Sequence, residues 1–346
     1  MTKSTYSFLD DYSEGCHPAI LQAMAKTNMA TQVAYGDDEY TERASHLICE
    51  QLGQKGTPVY FVASGTLANI IIISSALKPH EAVISAATGH AVVRETGAIE
   101  ATGHKMITVP SDNGKLTPQG VETALSENAH FPHMAKPRMV YISNATEAGT
   151  IYSKKELVAL STLCDKKDLL LMLDGARLGA ALTADRGDMT LADVAELTDI
   201  FWIGGTKTGA LIGEAIVIPN AELARDFPFH IKQRGALLAK GRLLGLQFSE
   251  LFSNNLYFEL SAHANQMAKK LSEAIAAAGY GFAAETESNQ LFPILPDALI
   301  DRLQKQFDFY VWGKAGDKKS VVRLVTSWAT ETGQVDAFIE SMNSQQ

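Results

Sequence analysis

Leu171-Met172-Leu173-Asp174-Gly175-Ala176-Arg177-Leu178 is an apolar run that ends in a carboxylate, with a guanidinium three positions further on. A short stretch without polar interruptions reads as a strand covered on both faces, so its charged residues fall where the strand stops. Six more runs share this character, at 58–62, 82–85, 105–109, 138–143, 199–203 and 214–218. Segments of helical periodicity separate many of them, including 66–77, 117–125 and 154–166. This rhythm predicts an α/β fold with a mainly parallel seven-stranded sheet.

Beyond Pro219 the pattern turns to long helical periodicity from 221 to 278, interrupted at Gly235 and Gly241. Strand-like stretches at 290–295 and 321–325 follow, then a final helix near 335–342. We therefore expect a large α/β domain over residues 11–250, and a smaller α+β domain built from 1–10 and 251–346.

The 346 residues carry a formal net charge of −9, with 46% hydrophobic and 20% charged residues. That balance is ordinary for a globular chain. Without clustered Lys and Arg to neutralise phosphates, nucleic acid is not an expected partner. The apolar stretch around 70–77 is far short of the ~20 residues that span a bilayer, so no membrane partner is expected. Residues 1–9 lack the basic segment, apolar core and cleavage site of a secretory signal. Three cysteines, Cys16, Cys49 and Cys164, lack metal-type spacing, so we expect no metal site and a reducing cytoplasm.

Four motifs fall at the ends of expected strands, where open α/β sheets place their ligands. Ser64-Gly65-Thr66 precedes a helix whose first N–H groups and positive dipole end would suit a phosphate. Taken alone, it reads first as an ordinary N-cap. Asp174 suits a carboxylate that keeps a ring nitrogen protonated, which would turn an aromatic cofactor into an electron sink. It could also cap the next turn or pair with Arg177. Ile203-Gly204-Gly205-Thr206-Lys207-Thr208-Gly209-Ala210 places a lysine among glycines and threonines, suited to an amine that must reach a cofactor carbonyl. Thr206 is a further phosphate candidate. The loop lacks the spacer of a nucleotide-hydrolase phosphate loop. His90, just beyond a strand, could stack on a cofactor face or serve a purely structural purpose.

The order of phosphate turn, histidine, strand-end aspartate and lysine resembles the threonine aldolase branch of the β-eliminating lyases, which are fold-type I pyridoxal-phosphate enzymes. The matching segments are Tyr35-Gly36-Asp37-Asp38, residues 63–69, His90 with Glu95-Thr96-Gly97, residues 173–177, the Lys207 loop with Gly213-Glu214, and residues 322–326. The resemblance implies an aspartate-aminotransferase-like fold and pyridoxal 5'-phosphate as cofactor. Lys207 would bind it covalently, Asp174 would face its pyridine nitrogen and His90 would stack on its ring. Ser64, Gly65, Thr66 and Thr206 would hold the phosphate.

By the same resemblance, Arg177 and Arg323 would clamp the carboxylate of a small amino-acid substrate, with Arg177 also close to the cofactor. The implied reaction is retro-aldol cleavage of L-threonine, L-allo-threonine and related L-β-hydroxy-α-amino acids to glycine and an aldehyde. Racemisation or β-elimination of another amino acid is the alternative. The chain departs from the family pattern at two places. Glu147 stands where many members carry a second histidine, which makes it a candidate base beside His90. Asp10 stands where a serine is usual, and Ser13 is the candidate to replace that serine toward the substrate. Lys240 is a candidate to reach a cofactor phosphate across a subunit interface, in a homodimer or homotetramer with sites between protomers.

Overall fold

The computed structural model describes residues 5–344. After a two-residue strand β1 (Tyr6–Ser7), the large sheet is built from β2 (Val59–Val62), β3 (Glu81–Ala86), β4 (Lys105–Val109), β5 (Lys136–Ser143), β6 (Leu170–Asp174), β7 (Ile200–Gly204) and β8 (Glu214–Val217). Their order across the sheet is β2-β8-β7-β6-β5-β3-β4. Only β8 runs against its neighbours β2 and β7; the β7-β6, β6-β5, β5-β3 and β3-β4 pairs are parallel. The seven runs expected from sequence are the seven strands, with ends shifted by one or two residues.

The unbroken apolar character of β6 has a direct structural cause. Leu171 and Leu173 point into one buried cluster, while Leu170 and Met172 point into the cluster on the opposite face. Because successive strand residues alternate sides, a sheet covered by helices on both faces needs apolar residues at every position. Phe201 and Ile203 of β7 split from Ile200 and Trp202 in the same way. Each such side chain contributes about 1.5–3 kcal/mol by leaving water.

The reversed strand matters for the site. Parallel strands present their last residues at one edge, whereas β8 presents its first there: Glu214 lies opposite Gly204 of β7 and Val62 of β2. Asp174, Gly204 and Glu214 therefore meet at the carboxyl edge of the sheet, where the topology leaves a crevice.

The smaller lobe holds β9 (Gly281–Phe282), β10 (Gln290–Leu291), β11 (Pro293–Pro296), β12 (Phe307–Asp308), β13 (Tyr310–Lys314) and β14 (Lys319–Val325). β14 is central and pairs antiparallel with β10, β11 and β13. The strand expected at 290–295 is two strands: β10 pairs with the end of β14 and β11 with its beginning, separated at Phe292 just before Pro293, which has no N–H to give. The N-terminal arm joins this lobe through the parallel β1-β12 pair, and Phe8 packs against Phe307 and Phe338.

The long helical stretch is divided into Ala221–Ala224, Phe227–Gln233, Arg242–Phe252 and Leu256–Ala277. Beyond the expected breaks near the two glycines, a further one falls at Ser253–Asn255, where Asn254 and Asn255 take φ of 54° and 61°. Asparagine tolerates this left-handed region better than most residues. The last helix belongs to both lobes: Tyr257 and Leu260 lie in the large core, and Met267, Leu271 and Ile275 in the small one. Among the described residues, no helix is long and apolar enough to cross a membrane.

Candidate active site

Asp174 closes β6 and is 3% exposed. Its Oδ2 accepts the Tyr141 hydroxyl at 2.5 Å and the Asn69 amide at 3.2 Å, and its Oδ1 accepts the Ala176 N–H at 3.0 Å. Three donors thus converge on this buried carboxylate and fix its orientation. Burial and the neighbouring Asp174 push the Tyr141 phenol well above its ordinary range, so it stays a donor. Asn69 is fixed in turn, because Trp202 Nε1 donates to its Oδ1 at 3.0 Å. Gly175 is required here: a Cβ would lie 1.8 Å from the Trp202 carbonyl oxygen, where β6 and β7 run too close for any side chain.

The Asn69 amide also donates to Glu95 Oε1 at 2.8 Å, and His90 Nδ1 lies 2.9 Å from the same oxygen. A hydrogen-bonded path thus runs from Asp174 to the imidazole, which is 41% exposed. Glu95 Oε2 is buried without a partner among the described residues. The His90 backbone N–H donates to Glu147 Oε1 at 3.0 Å, and the Ser143 hydroxyl to the same atom at 2.8 Å. Burial, reinforced by Asp174, raises the Glu147 pKa. The structure therefore brings His90 and Glu147 together.

Ser64 caps the helix Gly65–Ala76, its hydroxyl accepting the Leu67 N–H at 3.3 Å. The backbone N–H groups of Gly65 and Thr66 have no partner among the described residues, so the start of this helix still offers donors. A Cβ on Gly65 would come within 2.6 Å of the Trp202 ring, which accounts for glycine at this position.

Lys207 lies in the β7-β8 connection and is partly exposed. Its Nζ makes no ion pair within 4 Å among the described residues, and stands 5.9 Å from the Tyr12 ring centroid. Desolvation, with the nearby Arg177 charge, lowers the Lys207 pKa and favours the free amine. Glu214 holds the turn before it: Oε2 accepts the Gly205 N–H at 2.9 Å and Oε1 the Thr206 hydroxyl at 3.0 Å. The Thr206 oxygen accepts the Gly213 N–H at 3.2 Å. In this geometry the Thr206 hydroxyl is engaged by Glu214. Burial raises the Glu214 pKa to about 7.

Arg177 is turned toward Asp11, with Nε to Oδ2 at 2.7 Å and a terminal nitrogen to Oδ1 at 2.9 Å. Asn289 adds a bond to Asp11 Oδ2 at 2.9 Å. This two-point pair is buried, and it involves Asp11 rather than Asp10. Arg323 is different: among the described residues its guanidinium bonds Gln290 Oε1 at 2.9 Å and has no carboxylate within 4 Å. Desolvation and Arg177 push its pKa down to about 10. Ser13 is exposed and donates to Asp10 Oδ1 at 2.8 Å, and Lys240 is exposed. No group of residues suited to a metal ion occurs among the described residues.

Asn69, Tyr141, Glu95, Asp11 and Gln290 hold the site together without having been assigned roles from sequence. Asn69 alone left a sequence signal, as a polar residue in the apolar run 67–73 that becomes fully buried.

This arrangement has parallels in known proteins. The chain matches the beta-eliminating lyase family over residues 8–298. It is 35% identical to a low specificity L-threonine aldolase of a Pseudomonas species, covering 97% of this chain and 96% of that one. The corresponding Pseudomonas aeruginosa protein is 34% identical over the same shares. A solved threonine aldolase of Leishmania major superposes with a TM-score of 0.96 at 48% identity, covering 97% of this chain and 98% of the other. Aspartate aminotransferase of Thermus thermophilus, at 13% identity and a TM-score of 0.72 over 97% and 90%, shares the fold.

Proposed function

Because the chain belongs to the beta-eliminating lyase family, we propose that it is a carbon-carbon lyase that cleaves L-threonine, L-allo-threonine and related L-β-hydroxy-α-amino acids to glycine and an aldehyde, with pyridoxal 5'-phosphate as cofactor. The observation that carries this reading is the meeting of an unpaired, desolvated amine, Lys207, and a buried, triply bonded carboxylate, Asp174, at one sheet edge. The residues present fit the cofactor. Lys207 would hold it through Nζ, Asp174 would face its ring nitrogen, and the open N–H groups of Gly65 and Thr66 would take its phosphate. When bound, it supplies an electron sink for the pair released by bond breaking at Cα.

The protein's own groups then select the bond. An α-carboxylate anchored on Arg323, the guanidinium left without an anion, fixes the substrate about its Cα. Arg177 lies near enough to add positive charge, although its fork is engaged by Asp11. The His90 imidazole and Glu147, whose Oε1 accepts the His90 backbone N–H at 3.0 Å, are the candidate bases for the β-hydroxyl proton. The raised pKa of Glu147, caused by burial and Asp174, makes it a stronger base than a solvated carboxylate. Glu95 keeps the imidazole oriented through Nδ1. We place the enzyme in a reducing cytoplasm, consistent with its free cysteines, and read it as a homodimer or homotetramer in which Lys240 serves a neighbouring site.

Incubation of the cofactor-loaded protein with L-threonine should release glycine and acetaldehyde in equal amounts. Ammonia and a keto acid in place of glycine would reject the aldol assignment in favour of elimination.

A further inference from the structure

Arg323 on β14 lies opposite Tyr310 on the edge strand β13, but the register slips beyond that pair. Val311 faces Val322 while Gly313 faces Val321, so Trp312 is an extra residue bulged out of the ladder. A bulge frees one side chain from strict alternation and re-aims it. Here the indole sits beside the guanidinium of Arg323, whose central carbon is 5.4 Å from the ring centroid. Arg94 approaches the same ring at 5.6 Å, and Phe292 meets it edge-on at 6.0 Å.

Core packing does not account for this tryptophan, because it is 48% exposed on an edge strand. Arg323, by contrast, is a desolvated cation with no carboxylate within 4 Å among the described residues, and an electron-rich ring face offsets part of that cost. Arg94 follows the helix His90–Val93 of the large lobe, whereas Trp312 and Arg323 belong to the small one. The indole therefore links the lobes at the same point where it supports the guanidinium.

We infer that Trp312 is a positioning residue: its ring holds the Arg323 guanidinium ready for an incoming α-carboxylate, and Arg94 keeps that assembly in register with the large lobe. The inference rests on the proposed amino-acid cleavage, in which Arg323 receives the substrate carboxylate. It differs from a role for Trp312 as a wall for the substrate side chain, because glycine has a carboxylate and no side chain.

The test uses the cofactor-loaded enzyme, with glycine affinity read from the cofactor absorbance and KM and kcat measured for L-threonine. Trp312→Ala should weaken glycine binding roughly fivefold to tenfold, raise KM by a similar factor and change kcat much less. Trp312→Phe should recover most of that loss, and Arg94→Gln should show a smaller effect of the same kind. Quenching of tryptophan emission by glycine should disappear in Trp312→Phe. In an Arg323→Ala background, which itself weakens glycine binding strongly, Trp312→Ala should add nothing further. Normal glycine affinity in Trp312→Ala, or a loss that persists without Arg323, overturns the positioning role alone. Normal glycine affinity in Arg323→Ala overturns the carboxylate clamp as well.

Discussion

Arg177 and Asp11 are joined at two points, 2.7 and 2.9 Å apart, in a buried pair that ties the N-terminal arm to the end of the strand bearing Asp174. Burial by itself would raise the Asp11 pKa, but Arg177, Lys207 and the Asn289 hydrogen bond together outweigh it and hold the carboxyl below its ordinary value. Its stabilising effect is therefore complete above the ordinary aspartate range and is lost as pH falls through the lowered native value.

Asp11→Ala should cost about 3–5 kcal/mol, because it leaves a guanidinium buried without its partner. Denaturant unfolding of the apoprotein near pH 7 measures this, and a cost under about 1 kcal/mol would mean that Arg177 finds another anion.

Glu214 predicts the opposite pH trend. Its pKa is raised to about 7 by burial, so between the ordinary value of 4.5 and 7 the native state holds the proton more tightly than the unfolded chain. Its contribution is thus most favourable below 4.5 and is lost as pH rises through 7, a change on the order of 3 kcal/mol. Glu214→Gln should flatten the wild-type fall in apoprotein stability between pH 5 and 8; an identical slope in the variant would reject the assignment.

Gly65→Ala tests whether packing or ligand approach demands glycine. Its new methyl meets the Trp202 ring at 2.6 Å, so the apoprotein should lose about 1–3 kcal/mol even without cofactor. Trp202→Phe in the same chain should restore part of that loss, whereas a purely ligand-related glycine would leave apoprotein stability untouched.

Lys207→Ala should abolish any cofactor adduct that borohydride can trap. Peptide mapping is the check, and an adduct retained on a different lysine would displace Lys207 from its role.

Much of the fold was legible in the sequence because burial on both sheet faces leaves continuous apolar runs, and those of β6 and β7 need no tertiary information to be read. The strand-end residues Asp174 and Lys207 were legible for the same reason, since a charge after such a run must sit at an edge. Edge strand β13 was not, because all five of its residues are exposed and its bulge breaks the alternation. The Asp11–Arg177 pair was equally hidden: its partners lie far apart in sequence, and Asp10 beside Asp11 offers the same chemistry to a reader of letters. Thr206 shows a related limit: nothing in the letters around Lys207 says that its hydroxyl bonds Glu214 at 3.0 Å.

The helix Leu256–Ala277 roots one end in the large core and the other in the small one. One rod thus crosses both cores, and Tyr257 anchors its first end: its hydroxyl accepts the Gly179 N–H at 3.0 Å, a few residues beyond Asp174. Weakening that anchor at Tyr257 would loosen the joint between the two cores from a point outside the proposed site.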